Sequence, residues 1–407
     1  MKKRAILLFS TLMCVFAFMS CSNEQPVHLE MNNENSNLVS IDDALSNADE
    51  MFRQVYGQTR SDRKAASVIR FRNKQTRANS AKDSEGFYIV NYNDGGFSLL
   101  SADKRDVNRV YAISNEGAFH LGDTVENPGL GIYVNEILPV LSFEGIGDIR
   151  YPYLPIDTIM PIDPGWSYFK KHSEPLLSGF MAKFHQTYPY NAYCNTGAPD
   201  YRQQYVGCVP LAAGTVMGYH KWPQSLDGYV FDWGAMYSSS ADSRWARLFK
   251  ILGGPQYTNV TYGVVGASTG SGVSWDRVPQ AFAQAFAKAN YKGGNTQDFS
   301  SSTVNTELEA GYPVICVGIN AGSGHAWVID GGYTQGSLEY PVTPDDEIRQ
   351  VYKTYYHCVW GSNGVSNGYY LYSTTLGRDL QKGDEGYIVS AGEYGNLKVS
   401  YGYRPNK

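Results

Sequence analysis

The sequence has few cysteines and almost no clusters of charge of one sign. Its 407 residues include six cysteines, and none of them stands in a Cys-x-x-Cys or other metal-ligand spacing, which argues against the common zinc folds. The net charge is −5 and basic residues cluster in only one short stretch, so nucleic acid is not an expected partner. We therefore predict no metal site, no cofactor and no nucleic-acid binding.

Tyrosine and glycine are abundant instead. The chain contains 32 Tyr and 42 Gly, a composition typical of strand-rich and turn-rich architecture. A length of 407 residues exceeds one domain of about 100 to 200 residues. We therefore expect two domains preceded by a leader.

The N-terminus has the pattern of an export signal. Basic residues open the chain, an apolar segment covers 5–19, and Ser20-Cys21 follows; this segment is too short to span a bilayer comfortably. Ser20-Cys21 resembles a bacterial lipobox, although Phe18 and Met19 depart from its usual residues. Two outcomes stay open: an outer-membrane or cell-surface lipoprotein with a lipid on Cys21, or a periplasmic or plainly secreted protein.

Four cysteines remain after the leader: Cys194, Cys208, Cys316 and Cys358. In an exported chain, four cysteines permit two disulfides. Cys316 lies in the apolar run 313–317 and is predicted to be a buried strand residue. Two interpretations remain for Cys194 and Cys358, a disulfide with each other or two free thiols.

The N-terminal part of the chain is predicted to form a small α+β domain. Ser40 and Asp43 make a capping-box-like helix start, and apolar residues then recur with helical spacing up to Phe52. Three strands are predicted after this helix, at 87–92, 97–102 and 110–114. The Asn-Asp-Gly-Gly sequence at 93–96 is a strong signal for a hairpin between the first two strands.

Two segments are predicted to lack regular structure. The basic stretch 60–82 fits either an electrostatic patch or a solvated mobile loop. Residues 151–166 contain four prolines, which prevent long regular elements, and they are predicted to connect the two domains. The pair Lys170-Lys171 beyond this connector is either a protease cleavage site or two ordinary surface lysines.

The C-terminal part reads as helices followed by a mostly antiparallel sheet. Helices are predicted at 209–222, 277–289 and 304–310, and strands at 313–319, 325–332, 350–360, 368–372 and 386–390. This order is typical of an α+β domain built from two lobes.

Cys208 is the leading candidate for a nucleophile because it stands at the start of a small-residue helix. Helix N-terminal amides and the helix dipole favour negative charge there, so we expect the thiol pKa to fall below its usual value of about 8.5. Gly207 allows the backbone to approach a substrate. The alternative is a buried structural thiol.

His325 is the candidate base. It follows a Gly-Ser-Gly sequence at 322–324 and precedes an apolar strand, so we expect its ring beside an open groove. The order cysteine then histidine is expected of a papain-type pair. A core histidine is the alternative for His325, and His220 and His357 are weaker candidates for the base.

Three blocks of sequence resemble the streptopain-like cysteine peptidases, which are papain-type enzymes made as zymogens. These blocks are the cysteine helix with its following residues (207–209 and 217–223), the histidine strand (324–331) and the Trp-Gly block (360–370). The resemblance implies a two-lobed papain-like catalytic domain, with a helical lobe and an antiparallel sheet lobe, preceded by a small α+β prodomain.

The resemblance also implies roles for individual residues. They are the nucleophile Cys208, its partner His325, the oxyanion donor Gln186, the covering Trp360, and the substrate contacts Gly324 and Ser271. A side-chain amide suits the role given to Gln186, because it is a neutral hydrogen-bond donor. In the loop of Ser271, Ser268 is an equal alternative.

One residue departs from the family pattern. The family usually has an asparagine immediately before the tryptophan, and this chain has Val359. Valine cannot accept a hydrogen bond, so the imidazole has to be oriented by packing under Trp360, by a backbone carbonyl or by another side chain. Loss of the orienting residue alone need not abolish turnover, and both a slower and an inactive enzyme stay open.

Residues 36–140 resemble the inhibitory propeptide of the same family, which implies that they fill the active-site cleft until removed. The predicted organisation is a signal peptide at 1–21, the propeptide domain at 22–140, a linker and processing region at 141–171, and the peptidase domain at 172–407. Maturation is expected near Lys170-Lys171.

The predicted function is peptide-bond hydrolysis through a Cys–His pair and an acyl-enzyme, without metal or cofactor. Its partners are protein or peptide substrates and the chain's own propeptide. Two alternatives remain: a weak or inactive surface binding protein on a peptidase scaffold, and a thiol acyltransferase or amidase.

Overall fold

The structure is a computed structural model. It describes residues 25–26, 37–57, 64–72, 84–142, 167–194, 203–265, 270–320, 323–339, 349–377, 387–390 and 396–407. The predicted signal, the lipobox, the proline-rich connector and Ser268 lie outside these residues. Among the helices that it describes, none is long and apolar enough to cross a membrane.

The N-terminal domain begins with helix α1 (Ile41–Tyr56) and the predicted capping box. The Ser40 hydroxyl accepts a hydrogen bond from the Asp43 amide and donates one to the Asp43 carboxylate, which satisfies a free amide of the first turn. Gly57 ends the helix with a φ of 66°, a left-handed conformation that glycine adopts at little cost. The apolar stripe that contains Phe52 is buried.

An antiparallel meander follows α1. Its strands are β2 (Ala65–Phe71), β3 (Phe87–Tyr92), β4 (Phe97–Ser101) and β5 (Val110–Ser114), and the short β1 (Gln25–Pro26) pairs with β2. The predicted hairpin between β3 and β4 is confirmed. Gly95 and Gly96 have φ angles of 85° and 88°, which residues with side chains rarely adopt.

The interpretation of residues 60–82 as a mobile loop is wrong for its central part. β2 pairs with the buried strand β3, and this pairing outweighs the polar composition of the stretch. Arg70 and Arg72 both form ion pairs with Glu85, so part of the positive charge is neutralised within the domain. The rest of the stretch lies outside the described residues.

The segment after β5 is helical, which the sequence analysis did not predict. It contains α2 (Asp123–Glu126), α3 (Pro128–Ile132), a π-helical turn (Tyr133–Ile137) and α4 (Leu138–Leu141). The Asn127 side chain caps α3 by accepting a hydrogen bond from the Leu130 amide. Glycine and proline have low helix propensity, so helices that contain them are hard to predict from the sequence.

The helical lobe of the C-terminal domain surrounds one central helix. Its helices are α5 (Cys208–His220), α6 (Trp233–Met236), α7 (Ser243–Leu252) and α8 (Val278–Lys288), with 3₁₀ turns at Gly179–Lys183 and Trp275–Arg277. α5 is apolar on all sides and buried through Gly218, as expected of a core helix. The two helices predicted for this lobe are confirmed, and α6 and α7 are additions.

The sheet lobe consists of antiparallel strands and one covering helix, α9 (Ser301–Glu309). Its strands are β6 (Tyr168–Ser173), β10 (Asn295–Asp298), β11 (Val314–Asn320), β12 (Ser323–Glu339), β13 (Arg349–Val359), β14 (Gly368–Gly377), β15 (Tyr387–Ser390) and β16 (Leu397–Tyr401). Two small ribbons complete the lobes: β7 (Ser225–Leu226) with β8 (Tyr229–Val230), and β9 (Tyr291–Lys292) with β17 (Arg404–Pro405).

The two domains share one sheet. β5 pairs with β14 through Ile113–Tyr369 and Ala112–Tyr370, and the sheet has thirteen strands in the described part of the chain. Its two faces bury different cores. The N-terminal-side cluster contains α1, β3–β5 and Trp360, and the helical-lobe cluster contains α5, α7 and α8. The predicted α+β class with a two-lobed catalytic domain is confirmed.

The considered disulfide between Cys194 and Cys358 is not present. Both residues are free and buried. Cys358 belongs to the N-terminal-side cluster, whereas Cys194 is buried outside that cluster. Cys316 is buried within β11, as predicted.

Lys170 and Lys171 lie in a strand rather than in a linker. Both residues belong to β6, which pairs with β12 of the catalytic sheet. Lys170 Nζ lies 2.6 Å from the Glu309 carboxylate, and His172 Nδ1 lies 2.7 Å from it. The predicted linker at 141–171 therefore ends inside the sheet.

Candidate active site

Cys208 is the first residue of α5, as predicted. Gly207 precedes it with a φ of 94°, a conformation that a side chain would strain. A Cβ on Gly207 would also come within 3.3 Å of Val260. The glycine thus lets the chain turn sharply into the helix and places the thiol at the free amides of its first turn.

The surroundings of the thiol act in two directions. Burial raises the pKa of Cys208, whereas the N–H groups of Ala326, Cys208 and Val209 favour the thiolate. Burial prevails, since Cys208 is only 8% exposed. The expected low pKa is therefore wrong for this form of the chain, because the sulfur is shut off from water.

His325 lies near the start of β12, opposite Gly318 of β11. It is 2% exposed, so the open groove expected beside its ring is absent here. Nε2 donates to the Trp360 carbonyl at 2.7 Å, and the ring is nearly parallel to that of Trp327. Burial lowers the pKa of His325 to about 4; the neutral ring keeps its proton on Nε2.

Cys208 and His325 lie on neighbouring elements but are not hydrogen-bonded to each other. The backbone N–H of Ala326, the residue after His325, favours the Cys208 thiolate. Successive side chains of a strand point to opposite faces, so the imidazole turns to the face of Trp327, away from that of Ala326. Within the described part of the chain, no hydrogen bond joins the Cys208 sulfur to the imidazole.

The N-terminal domain fills the space over the imidazole. A Cβ on Gly129 of α3 would lie 2.6 Å from the Trp360 ring and 2.9 Å from that of His325, so the α3 backbone touches both rings. Asn127 Nδ2 donates to the Val365 carbonyl at 3.3 Å. The hydrogen bond from Asn127 thus holds the start of α3 against the loop that follows Trp360.

Trp360 is fully buried in the N-terminal-side cluster. Its Nε1 donates to the Ser366 carbonyl at 2.9 Å, and its ring meets Tyr370 edge-on. Its role as a cover for the Cys–His pair stays a prediction. In this form, its carbonyl is the group that holds the imidazole, which is one of the three ways of orienting His325 considered from the sequence.

Val359 is directed away from the imidazole. It belongs to the helical-lobe cluster and pairs with Val328 across β12 and β13, whereas His325 turns to the face of Trp327. An asparagine side chain at position 359 would point away from the ring in this arrangement. The valine therefore removes no contact to His325 in this form of the chain.

Gln186 lies beside the nucleophile segment. Its carbonyl accepts a hydrogen bond from the Val206 amide at 3.0 Å, two residues before Cys208. The residue is partly exposed. The structure thus brings Gln186 and Cys208 together, and the oxyanion role of Gln186 stays a prediction.

The two predicted substrate contacts differ. Gly324 is exposed at the start of β12. Ser271 is 7% exposed; its hydroxyl accepts a hydrogen bond from the Gly263 amide and donates to the Tyr205 carbonyl at 2.7 Å. That hydroxyl proton is already used within the loop, so the geometry does not support Ser271 as a substrate contact.

Sequence reasoning missed two residues of the site. Gly129 touches both rings, and its sequence context gave no signal of this. Asn367 binds the Trp360 amide; its place within the Trp-Gly block was visible, but the hydrogen bond depends on how the loop folds back.

The fold and this site define a papain-type cysteine peptidase architecture with an inhibitor-type N-terminal domain. Residues 184–370 match the model of the Peptidase C10 family, and residues 36–137 match the Spi protease inhibitor model. The chain belongs to the streptopain-like cysteine peptidases that carry a propeptide domain.

Individual relatives are distant. Streptopain of a Streptococcus pyogenes M28 strain is 23% identical over 332 residues, which are 70% of this chain and 73% of streptopain. The thiol protease/hemagglutinin PrtT of Porphyromonas gingivalis is 26% identical over 76% of this chain, but over only 36% of its own length. A prointerpain A fragment from Prevotella intermedia shares the fold, with a TM-score of 0.51, 19% identity, and coverage of 84% of this chain and 99% of the fragment.

Proposed function

We propose that the chain is the zymogen of a cysteine endopeptidase in which Cys208 attacks peptide carbonyls. The observation that carries this proposal is the contact of Gly129 with His325 and Trp360, which places a removable domain on the base of a preformed cysteine site. The described form is therefore the inhibited one.

The chemistry follows from groups already in place. The Cys208 thiolate attacks the carbonyl carbon, and the Cys208 amide and the Gln186 side chain stabilise the oxyanion. His325 protonates the leaving amine and then activates the water that releases the acyl-enzyme. The Ala326 amide at the sulfur adds support for the thiolate.

Activation requires the imidazole to turn toward Cys208. Removal of α3 takes the Gly129 backbone off the His325 ring, and we expect the turn of the imidazole to open both groups to water. Hydration lowers the pKa of the thiol and raises the pKa of the imidazole, because burial is the largest cause of both shifts. Loss of the N-terminal domain thus favours the thiolate–imidazolium pair that the reaction needs.

We place the maturation cut before Tyr168 rather than at Lys170-Lys171. A protease needs an unpaired extended segment, and β6 is hydrogen-bonded to β12. Lys170 and His172 also contact Glu309 of α9. β6 is therefore expected to remain in the mature enzyme.

Export of the chain is part of the proposal. It rests on the signal-like N-terminus, and a lipid on Cys21 is the proposed form of attachment to the membrane. Radiolabelled fatty acid should then be incorporated by the wild-type chain but not by Cys21→Ala. A chain without a lipid that is still exported would support plain secretion.

The test of the peptidase compares the full chain with its Cys208→Ala variant. Each is incubated under reducing conditions with a denatured protein, while substrate cleavage and loss of the N-terminal domain are followed. Hydrolysis by the wild type alone supports the proposal. Absence of hydrolysis after removal of the N-terminal domain would instead favour a binding protein on a peptidase scaffold, and transfer of the acyl group to an amine would favour an acyltransferase.

A further inference from the structure

The loop after Trp360 carries one side chain that reaches both halves of the proposed catalytic machinery. Its Oδ1 accepts a hydrogen bond from the Trp360 amide at 3.1 Å, and its Nδ2 donates to the Ala182 carbonyl at 2.7 Å. We propose that this residue, Asn367, is a positioning residue that fixes the support of His325 and the segment of Gln186 relative to each other. The inference rests on the proposed peptidase function.

The histidine half is connected through one residue, Trp360. Asn367 holds the N–H of Trp360, and the carbonyl of Trp360 accepts the Nε2 proton of His325 at 2.7 Å. A hold on its N–H limits how far the Trp360 main chain and its carbonyl can shift. The amide of Asn367 therefore restrains the acceptor that directs the imidazole in this form, and it restrains the same main chain beside which the ring turns toward Cys208 on activation.

The glutamine half is connected through the 3₁₀ turn Gly179–Lys183. Ala182 lies four residues before Gln186, and its carbonyl accepts the Asn367 proton. His185 forms a bridge to Ser362 of the same loop. The Trp360 loop is thus tied to the chain segment that leads directly into Gln186.

An amide is the side chain that this position needs. One of its atoms faces an N–H group and the other faces a carbonyl, so the orientation of the amide follows from its partners. A carboxylate keeps the acceptor for Trp360 but offers no proton to Ala182. A leucine of similar size offers neither, so Asn367→Asp and Asn367→Leu remove the connections in steps.

The expected consequence is a slower chemical step with little change in substrate binding. Catalytic groups have to be held within about 0.5 Å of their productive positions, and displacements of about 1 Å cost up to roughly 100-fold in rate. For Asn367→Leu we expect kcat to fall about 10- to 100-fold, with KM changed less than about threefold. Asn367→Asp should fall between this variant and the wild type.

The experiment uses the full chain, processed by immobilised wild-type enzyme so that all variants lose the N-terminal domain. Active sites are titrated with an irreversible thiol reagent, and kcat is expressed per titrated site, which removes any unfolded fraction. Asn363→Asp is the matched control, because Asn363 is exposed in the same loop and gains the same charge. This control should retain wild-type kcat.

A double-mutant cycle with Gln186→Ala tests the connection to the glutamine half. If Asn367 acts through Gln186, Asn367→Asp should lower kcat less in the Gln186→Ala background than in the wild type. Equal kcat per titrated site in wild type, Asn367→Asp and Asn367→Leu would overturn the inference alone. A wild type that shows no Cys208-dependent hydrolysis, including hydrolysis of its own N-terminal domain, would overturn the proposed function as well.

Discussion

The two halves of the candidate site differ in what surrounds them. Cys208 is surrounded by the helical-lobe cluster and by the amides of α5 and Ala326, all of which belong to the catalytic domain. His325 is covered by Gly129 and held by the Trp360 carbonyl. In terms of the proposed function, the nucleophile is preformed and only the base is held away from it, so the N-terminal domain would act on the base without distorting the nucleophile.

Thiol alkylation should give the largest contrast between the intact and the processed chain. Burial raises the pKa of Cys208 in the intact chain, so its reaction with iodoacetamide should accelerate only at alkaline pH. In the processed chain, we expect the thiol pKa to be lower, because hydration and a nearby imidazolium both favour the thiolate. The rate at pH 6 should then rise about 10²- to 10³-fold, measured as pH–rate profiles. Superimposable profiles would show that the N-terminal domain is not what keeps the thiol from reacting.

Removal of the predicted oxyanion donor should affect only the chemical step. Gln186→Ala is expected to lower kcat about 10²- to 10³-fold, because the side-chain amide stabilises charge that develops in the transition state. The alkylation profile of Cys208 should stay unchanged, since no oxyanion forms in that reaction. Gln224→Ala, at an exposed site, is the control, and an unaffected kcat in Gln186→Ala would remove this residue from the site.

A larger side chain at position 129 should release the base early. Gly129→Leu places atoms where the rings of Trp360 and His325 lie, and such overpacking costs about 1–3 kcal/mol. We expect the N-terminal domain to be lost about 5- to 100-fold faster in a self-processing time course. Gly122→Ala is the control, because a Cβ there meets nothing within 4 Å; equal processing rates would exclude α3 as the covering element.

Replacing Val359 with asparagine should lower the stability of the protein without raising its activity. Val359 lies in the helical-lobe cluster opposite Val328, so Val359→Asn buries an unpartnered amide and should lower the free energy of unfolding by about 1–3 kcal/mol. Val328→Asn should lose a similar amount. Neither change should raise kcat; a faster Val359→Asn enzyme would mean that position 359 faces the imidazole after maturation.

Helices, strands and turns were easier to predict from the sequence than the burial and the contacts of their side chains. The α1 cap, the β3–β4 hairpin, α5 and the strands around His325 follow from local patterns of capping, turn residues and periodicity. α7 was also within reach, because Asp242 caps it and Trp245, Leu248, Phe249 and Leu252 have helical spacing. β2 was not predicted, because the arginines in and around it made the stretch look like a solvated loop.

Long-range contacts account for the rest. The pKa direction of His325 was not predictable, because its burial involves α3, which is nearly 200 residues away from His325 in the sequence. The burial of Cys208 depends on how the helical lobe packs around α5. The hydrogen bonds of Asn367 and Ser271 depend in the same way on loops that meet only in the folded chain. The departure at Val359 was visible, but the face of the strand to which it points was not.

The pairing of β5 with β14 gives maturation a second effect. When the N-terminal domain leaves, the Tyr369 and Tyr370 edge of β14 loses its partners Ile113 and Ala112, and the Leu371 carbonyl loses the Tyr133 hydroxyl. An uncovered strand edge presents unpaired backbone N–H and C=O groups, which can pair with an extended segment of another chain. The proposed maturation would therefore change how readily the enzyme associates with its own copies at high concentration, in addition to starting its activity.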